Sequence, residues 1–316
     1  MNKREQVLSL LDENTTQDYI PAGFFLHFDP IYQRGQAAVD KHLEFFRHTD
    51  MDFVKIQYET VFPRVPEIRT PDDWDKMPLY KRDFYDNQLS IVKGLVKEAK
   101  DEALVIMTLY SPFMCAAHST GYQMITDHMK EAPDKVIKGM EIVTDSLMLF
   151  VKECIGLGVD GFYASTQGGE SHRFEDSAVF KQCVKPFDLA LMEEINRSCV
   201  FNILHVCDFM GGYSDFSMFL DYPGHVVNCS PELESGTMTG QEISRMFGRP
   251  YMGGLDRKGI IATGDKAEIM ETVQGVLKNA PDKFILGADC TLPGDINWDN
   301  IKTAIATAHD FKGGSA

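Results

Sequence analysis

Short apolar runs alternate with longer stretches of helical spacing along the whole chain. Eight runs stand out: IPAGFFLHF (20–28), FVKIQY (53–58), ALVIMTLY (103–110), GFYAST (161–166), VFNILHV (200–206), HVVNCS (225–230), YMGGL (251–255) and FILGA (284–288). Each is strand-sized and nearly continuous in apolar residues, as a strand buried on both faces of a parallel sheet must be. Between them, apolar positions recur three and four apart. QAAVDKHLEFFRH (36–48) leads into the second strand, and residues 133–158 form a long helical segment opened by Pro133 and stopped by Gly156 and Gly158. Residues 176–198 run to the fifth strand with Pro186 as a kink or restart, and residues 263–280 and 297–311 supply the last two helices. The opening MNKREQVLSLLDEN reads as a short amphipathic helix without the apolar core of a signal peptide.

Eight strands alternating with eight or more helices predict an α/β fold: a single (β/α)8 TIM barrel over residues 1–316 with an N-terminal helix. Two average domains would also fit 316 residues, yet no Gly/Ser-rich or Pro-rich linker divides the chain. An open doubly wound sheet would carry a Gly-rich phosphate turn after its first strand; here that turn reads FDPIYQRG.

The net charge of −16, with no Lys/Arg cluster to offset it, argues against nucleic-acid partners and against an anionic membrane surface. No apolar run is long enough to span a bilayer. The seven cysteines (115, 154, 183, 199, 207, 229 and 290) are odd in number and scattered, so reduced thiols in a cytoplasmic protein are expected, most of them core residues.

Barrel chemistry sits on the loops after the C-terminal ends of the strands. His205 and Cys207 close the fifth strand two residues apart, so their side chains point to one side. Cys290 follows the eighth strand at the same rim. Three N/S donors with a fourth position open form the pattern of a catalytic zinc site, although Cys115 and Cys229 also lie near strand ends and rival them as ligands. Asp29 and Glu59 are candidates for a displaceable fourth ligand, or solvated loop carboxylates. His27, Tyr58, Gln167 and Asp256 are candidate substrate-binding residues. Each also has a structural reading: a hydrogen-bonded His, a packed ring, a Gly-flanked turn and an Asp bracing its own turn. Tyr110, Tyr163 and His118 occupy comparable positions.

The segments NILHVCD (202–208), GRPYMGGLDRKG (248–259) and FILGADCTLPGDINWDNIKTAIATA (284–308) resemble the uroporphyrinogen decarboxylase superfamily, and within it the cobamide-dependent methyltransferases. That branch carries a His-x-Cys…Cys zinc motif, which His205, Cys207 and Cys290 match. The resemblance implies methyl transfer between a corrinoid on a partner protein and a thiol or small methylated substrate, with a thiol losing its proton at the zinc. The Arg-rich segment that grips carboxylates in the decarboxylases reads FFLHFDPIYQRG here, and the place of their catalytic Asp reads VKIQYE, which puts porphyrinogen decarboxylation in doubt. A metal-free lyase or a non-catalytic binding protein on the same fold is the alternative.

Overall fold

The computed structural model describes residues 2–312. Its strands are β1 (Phe53–Ile56), β2 (Leu104–Tyr110), β3 (Gly161–Thr166), β4 (Ile203–Val206), β5 (Val226–Cys229), β6 (Glu232–Leu233), β7 (Gly236–Thr237), β8 (Tyr251–Leu255) and β9 (Phe284–Ala288). The helices are α1 (Lys3–Leu8), α2 (Gly35–Thr49), α3 (Asp86–Ala99), α4 (Pro112–Thr120), α5 (Tyr122–Glu131), α6 (Pro133–Leu157), α7 (Ser177–Cys183), α8 (Lys185–Ser198), α9 (Gly240–Phe247), α10 (Ile260–Thr263), α11 (Lys266–Lys278) and α12 (Trp298–His309). Seven strands form one curled parallel sheet in the order β1-β2-β3-β4-β5-β8-β9, with β6 and β7 a separate two-stranded hairpin. Helices between successive parallel strands cover its outer face, as crossover connections require.

Residues 20–28, expected as the first strand, form no regular strand. Ala22 and Leu26 make isolated parallel bridges to Leu286 and Leu292. On the other side, Asp52 N–H donates to the Ala22 carbonyl at 3.0 Å, so the segment lies between β9 and the start of β1. The departure has a local cause. Pro21 brings no N–H, the Ala22 N–H is taken by the Asp52 carboxylate at 2.7 Å, and the Phe24 N–H points to Met51 Sδ at 3.3 Å. Side chains answer donors that a strand ladder would otherwise use. Close approach is possible because residue 23 is glycine: a Cβ there would stand 2.5 Å from the Phe53 ring.

Local signals fixed several helix ends. Gly158, at φ +94°, closes α6 in the left-handed conformation, whereas Gly156 lies inside the helix and stops nothing. Val184 leaves helical geometry just ahead of Lys185 and Pro186, splitting residues 176–198 into α7 and α8. The segment YSPFMCAAH that follows β2 is largely helix: Ser111 accepts from the Met114 N–H and Pro112 opens α4. No helix among the described residues is long and apolar enough to cross a membrane.

Within the curl, the inward-facing residues divide into two zones. Phe25, Phe53, Leu104, Ile106, Phe201, Ile203, Val226, Met252 and Ile285 pack into an apolar cluster toward the N-terminal ends of the strands. Val7 and Leu10, from α1 and the turn after it, belong to that cluster and plug this end. Further along the same strands, inward positions become polar: Lys55 and Gln57, Thr108, Ser165 and Gln167, His205 and Cys207, Asn228.

Candidate metal centre

The polar zone opens into a cavity of about 550 Å³. A larger groove of about 730 Å³ lies outside the sheet, lined by α11, α12 and the residues after it, and brings together lysines and aliphatic stems rather than convergent chemistry. His205 ends in the cavity because it is paired in register between Ser165 and Asn228, inside the sheet, and Cys207 follows two positions later on the same side. Cys290 reaches it from the turn after β9.

The ligand atoms of His205, Cys207 and Cys290 lie within 4.8 Å of one another, and all three residues are buried. Cys290 Sγ stands 3.5 Å from His205 Nε2. His205 Nδ1 is buried with no partner among the described residues, so the imidazole makes no hydrogen bond to nitrogen or oxygen at either ring nitrogen. Buried imidazoles are ordinarily satisfied, and this one is aimed at two sulfurs. The donor set of one nitrogen and two sulfurs, buried and convergent, fits zinc. Cys290 is held well below the ordinary thiol range, first by the hydrogen bond from Cys207 and then by His205 and Arg257 nearby. Cys207 is pushed up, first because its proton serves that bond and then by burial.

Supporting contacts hold each ligand. The His205 ring stacks on Tyr163 at 4.9 Å, and the Tyr163 hydroxyl donates to Asn228. Gln167 Nε2 donates to Cys207 Sγ at 3.3 Å, while its Oε1 accepts from the Tyr122 hydroxyl at 3.0 Å. Gln167 is placed by a tight turn: Gly168 takes φ +96° and its N–H donates to the buried Glu170, which pairs with Arg173. Arg257 joins the two cysteine loops. Its Nη1 donates to Asp208, the residue after Cys207, at 2.7 Å, and to Asp289, the residue before Cys290, at 2.8 Å.

The other expected residues separate. Gln167 and His27 line the cavity; His27 Nδ1 pairs with Glu59 at 2.9 Å at its mouth. Tyr110, Tyr163 and His118 line it as well. Tyr58 does not: Lys55 and Gln57 face inward, so Tyr58 faces the helices and packs on Phe150 and against the outer side of Tyr110. Asp256 is exposed and braces its turn by accepting from the Lys258 N–H at 2.8 Å. Asp29 likewise caps a 3-10 turn through the Ile31 N–H, and neither it nor Glu59 joins the ligand cluster. Cys115 and Cys229 are buried elsewhere and stay out of that cluster. Among the residues the sequence reading did not single out are Lys55, Tyr122, Ser165 and Arg257. Lys55 had left a trace, a lone charge in an otherwise apolar run.

The uroporphyrinogen decarboxylase (URO-D) family model matches residues 50–311. No curated protein sequence matches the chain significantly. Among solved structures, the fold is similar to a methyltransferase from Methanosarcina mazei, at TM-score 0.77 and 12% identity, covering 98% of each chain. It is also similar to a B12-independent methionine synthase from a Shewanella species in complex with selenomethionine, at TM-score 0.58 and 12% identity, covering 94% of this chain and 97% of that one. An endo-1,4-β-mannanase from Rhizomucor miehei is similar at TM-score 0.51 and 12% identity, covering 95% of each. Likeness at these identities establishes the fold, and the third neighbour shows that different chemistries use it.

Proposed function

The chain belongs to the uroporphyrinogen decarboxylase (URO-D) family, and from that premise we propose that it is a zinc-dependent methyltransferase. It would move a methyl group between a corrinoid on a separate protein and a thiol or small methylated substrate. The observation that carries this reading is the convergence of one imidazole and two thiols at the buried end of the cavity. Segment 20–28 is read as the eighth stave of a (β/α)8 barrel, and residues 1–316 as one domain. The seven unpaired cysteines fit a reducing, cytoplasmic setting.

His205, Cys207 and Cys290 would hold the zinc. Such an ion, neutralised by two thiolates, supplies the site at which a substrate thiol gives up its proton and becomes a nucleophile for methyl transfer. The chain's own residues prepare the site. The Cys207 thiol and the neighbouring His205 and Arg257 favour loss of the Cys290 proton, and Gln167, braced by Tyr122, steadies the Cys207 sulfur. Arg257 fixes the spacing of the two cysteine loops. The cavity admits a small substrate from the open end while its packed lower end excludes water, which favours aligned transfer. Among the described residues Arg257 is the one Arg lining the cavity, and Asp208 and Asp289 occupy it, so a porphyrinogen with many carboxylates meets no cluster of arginines there.

Elemental analysis of the purified protein is the first test. We expect about one zinc per chain, its loss in Cys207→Ala, and methylation of at least one small thiol by methylcobalamin that the variant does not support. Protein without zinc, or a Cys207→Ala variant with unchanged metal and activity, overturns the reading.

A further inference from the structure

One charged side chain in the polar zone has no acidic partner. Lys55 on β1 is only 6% exposed. Its Nζ lies over two aromatic rings, 4.4 Å from the centroid of Phe25 and 4.5 Å from that of Tyr163. It donates to Gln57 Oε1 at 2.8 Å, and among the described residues that is its one acceptor. An ammonium has three N–H donors, so two remain for whatever enters the cavity that Lys55 helps to line.

A buried, unpaired ammonium is costly: burial pushes Lys55 down to about 7 from its ordinary range, even with Cys290, Glu59 and Cys207 near enough to pull it back up. The sheet had an inexpensive alternative: two residues earlier, Phe53 fills the equivalent inward position with hydrocarbon. The aromatic faces hold the cation by their quadrupoles, a weaker hold than that of an anionic acceptor, so an N–H group can turn from a ring to an incoming anion. Tyr163 also places the charge, since the ring beneath Lys55 Nζ is the one that stacks on His205. Of the other two cations of the cavity wall among the described residues, Arg257 is committed to two carboxylates and Lys258 is exposed to solvent at the rim. Two thiolates and a neutral imidazole cancel the charge of a zinc ion, so a third thiolate would leave a buried net negative charge.

We propose that Lys55 is the counter-charge for the substrate sulfur: it binds a small thiol in its deprotonated form beside His205, Cys207 and Cys290, and so selects thiols over thioethers and alcohols. The inference rests on the thiol-methylating reading above and names its substrate class. On binding, the S–H bond breaks, the electron pair stays on sulfur, and the proton passes to the bulk buffer; at pH 6, where the test below is run, Lys55 lies under its pKa of about 7 and keeps its own three protons.

The test uses the zinc-loaded full chain at pH 6 with 2-mercaptoethanol and its S-methyl thioether as probes. Calorimetry in two buffers of different ionisation enthalpy counts protons released. Wild type should release about one proton per thiol bound and bind the thioether weakly. Lys55→Met should keep its zinc and its circular dichroism spectrum yet bind the thiol about tenfold or more weakly, with thioether binding unchanged. Lys55→Gln, which keeps a hydrogen-bonding amide without charge, should show the same loss, and Lys55→Arg should recover most of the affinity. Equal thiol affinity in wild type and Lys55→Gln, or parallel loss of thiol and thioether, overturns the role of Lys55 while leaving the zinc reading standing. A wild-type protein without zinc overturns the thiol-methylating reading and this inference together.

Discussion

Along β1 the interior passes from Phe53 to Lys55 and Gln57; along β2 from Ile106 to Thr108 and Tyr110; along β4 from Ile203 to His205 and Cys207. In each strand a two-residue step leads from hydrocarbon to chemistry on the same face. The two ends are close neighbours, yet they answer to different demands. The lower end is closed by Val7 and Leu10 and filled with interlocking rings and branched chains. The upper end is left open, and there polar groups can be buried because they bind one another or await a ligand. The comparison separates stability from reactivity along single strands.

The sharpest way to break this division is Phe53→Ala in the lower end. Loss of a fully buried ring should cost about 3–5 kcal/mol in denaturant unfolding, while the folded fraction keeps its zinc. A folded Phe53→Ala protein depleted of zinc would show that the two ends are not separable. Arg257→Gln probes the upper end in the converse sense. With the Asp208 and Asp289 loops no longer tied, zinc affinity measured against a competing chelator should fall roughly 10–100-fold, as for other outer-shell partners of metal ligands. The unfolding midpoint of the metal-free protein should move far less than for Phe53→Ala, and a larger shift there would assign Arg257 to the fold rather than to the site.

A pH-dependent effect concerns a polar group placed outside the curl. Asp188 of α8 is buried behind β3, accepting from Thr166 and Tyr222, and burial raises it to about 7. The folded protein therefore holds a proton between about pH 4 and 7 that the unfolded chain has shed. Its stabilising contribution is full below the unfolded value and is lost as pH rises through about 7. Asp188→Asn should remove a slope of at most about 1.4 kcal/mol per pH unit in that window. Unchanged pH dependence of unfolding would mean that this carboxyl is ionised in the fold, and that closure outside the curl is less strict than it is at the lower end.

Much of this organisation was legible in the sequence because it obeys local rules. Apolar runs of strand length, the αL glycine at 158 and the proline at 186 act within a few residues of themselves. So does the i, i+2 relation that points His205 and Cys207 the same way. What was lost depends on parity and on distant partners. Tyr58 was assigned to the pocket from its nearness to a strand end, but β1 turns Lys55 and Gln57 inward, which sends Tyr58 to the helices. Residues 20–28 have the composition of a strand, and only the tertiary position of Asp52 and Met51 explains why their N–H groups leave the ladder. Arg257 gave no periodic or compositional sign, because its meaning lies in two carboxylates 49 and 32 residues away. Asp256, its neighbour, drew attention instead and proved to brace a turn.

The seam between residues 20–28 and β9 has a consequence for how the molecule assembles. Leu286 N–H donates to the Pro21 carbonyl and Gly23 N–H to the Leu286 carbonyl, at 2.9 and 3.0 Å, between residues more than two hundred and fifty positions apart. Contacts of such sequence separation are slow to form, and a growing chain cannot make them until β9 has been synthesised. Cys290 lies four residues beyond Leu286 and arrives through the same closure. Until the seam shuts, His205 and Cys207 stand without their third companion. Ligand capture is thereby coupled to completion of topology: the closure that joins residues 20–28 to β9 is the one that brings Cys290 to the metal centre.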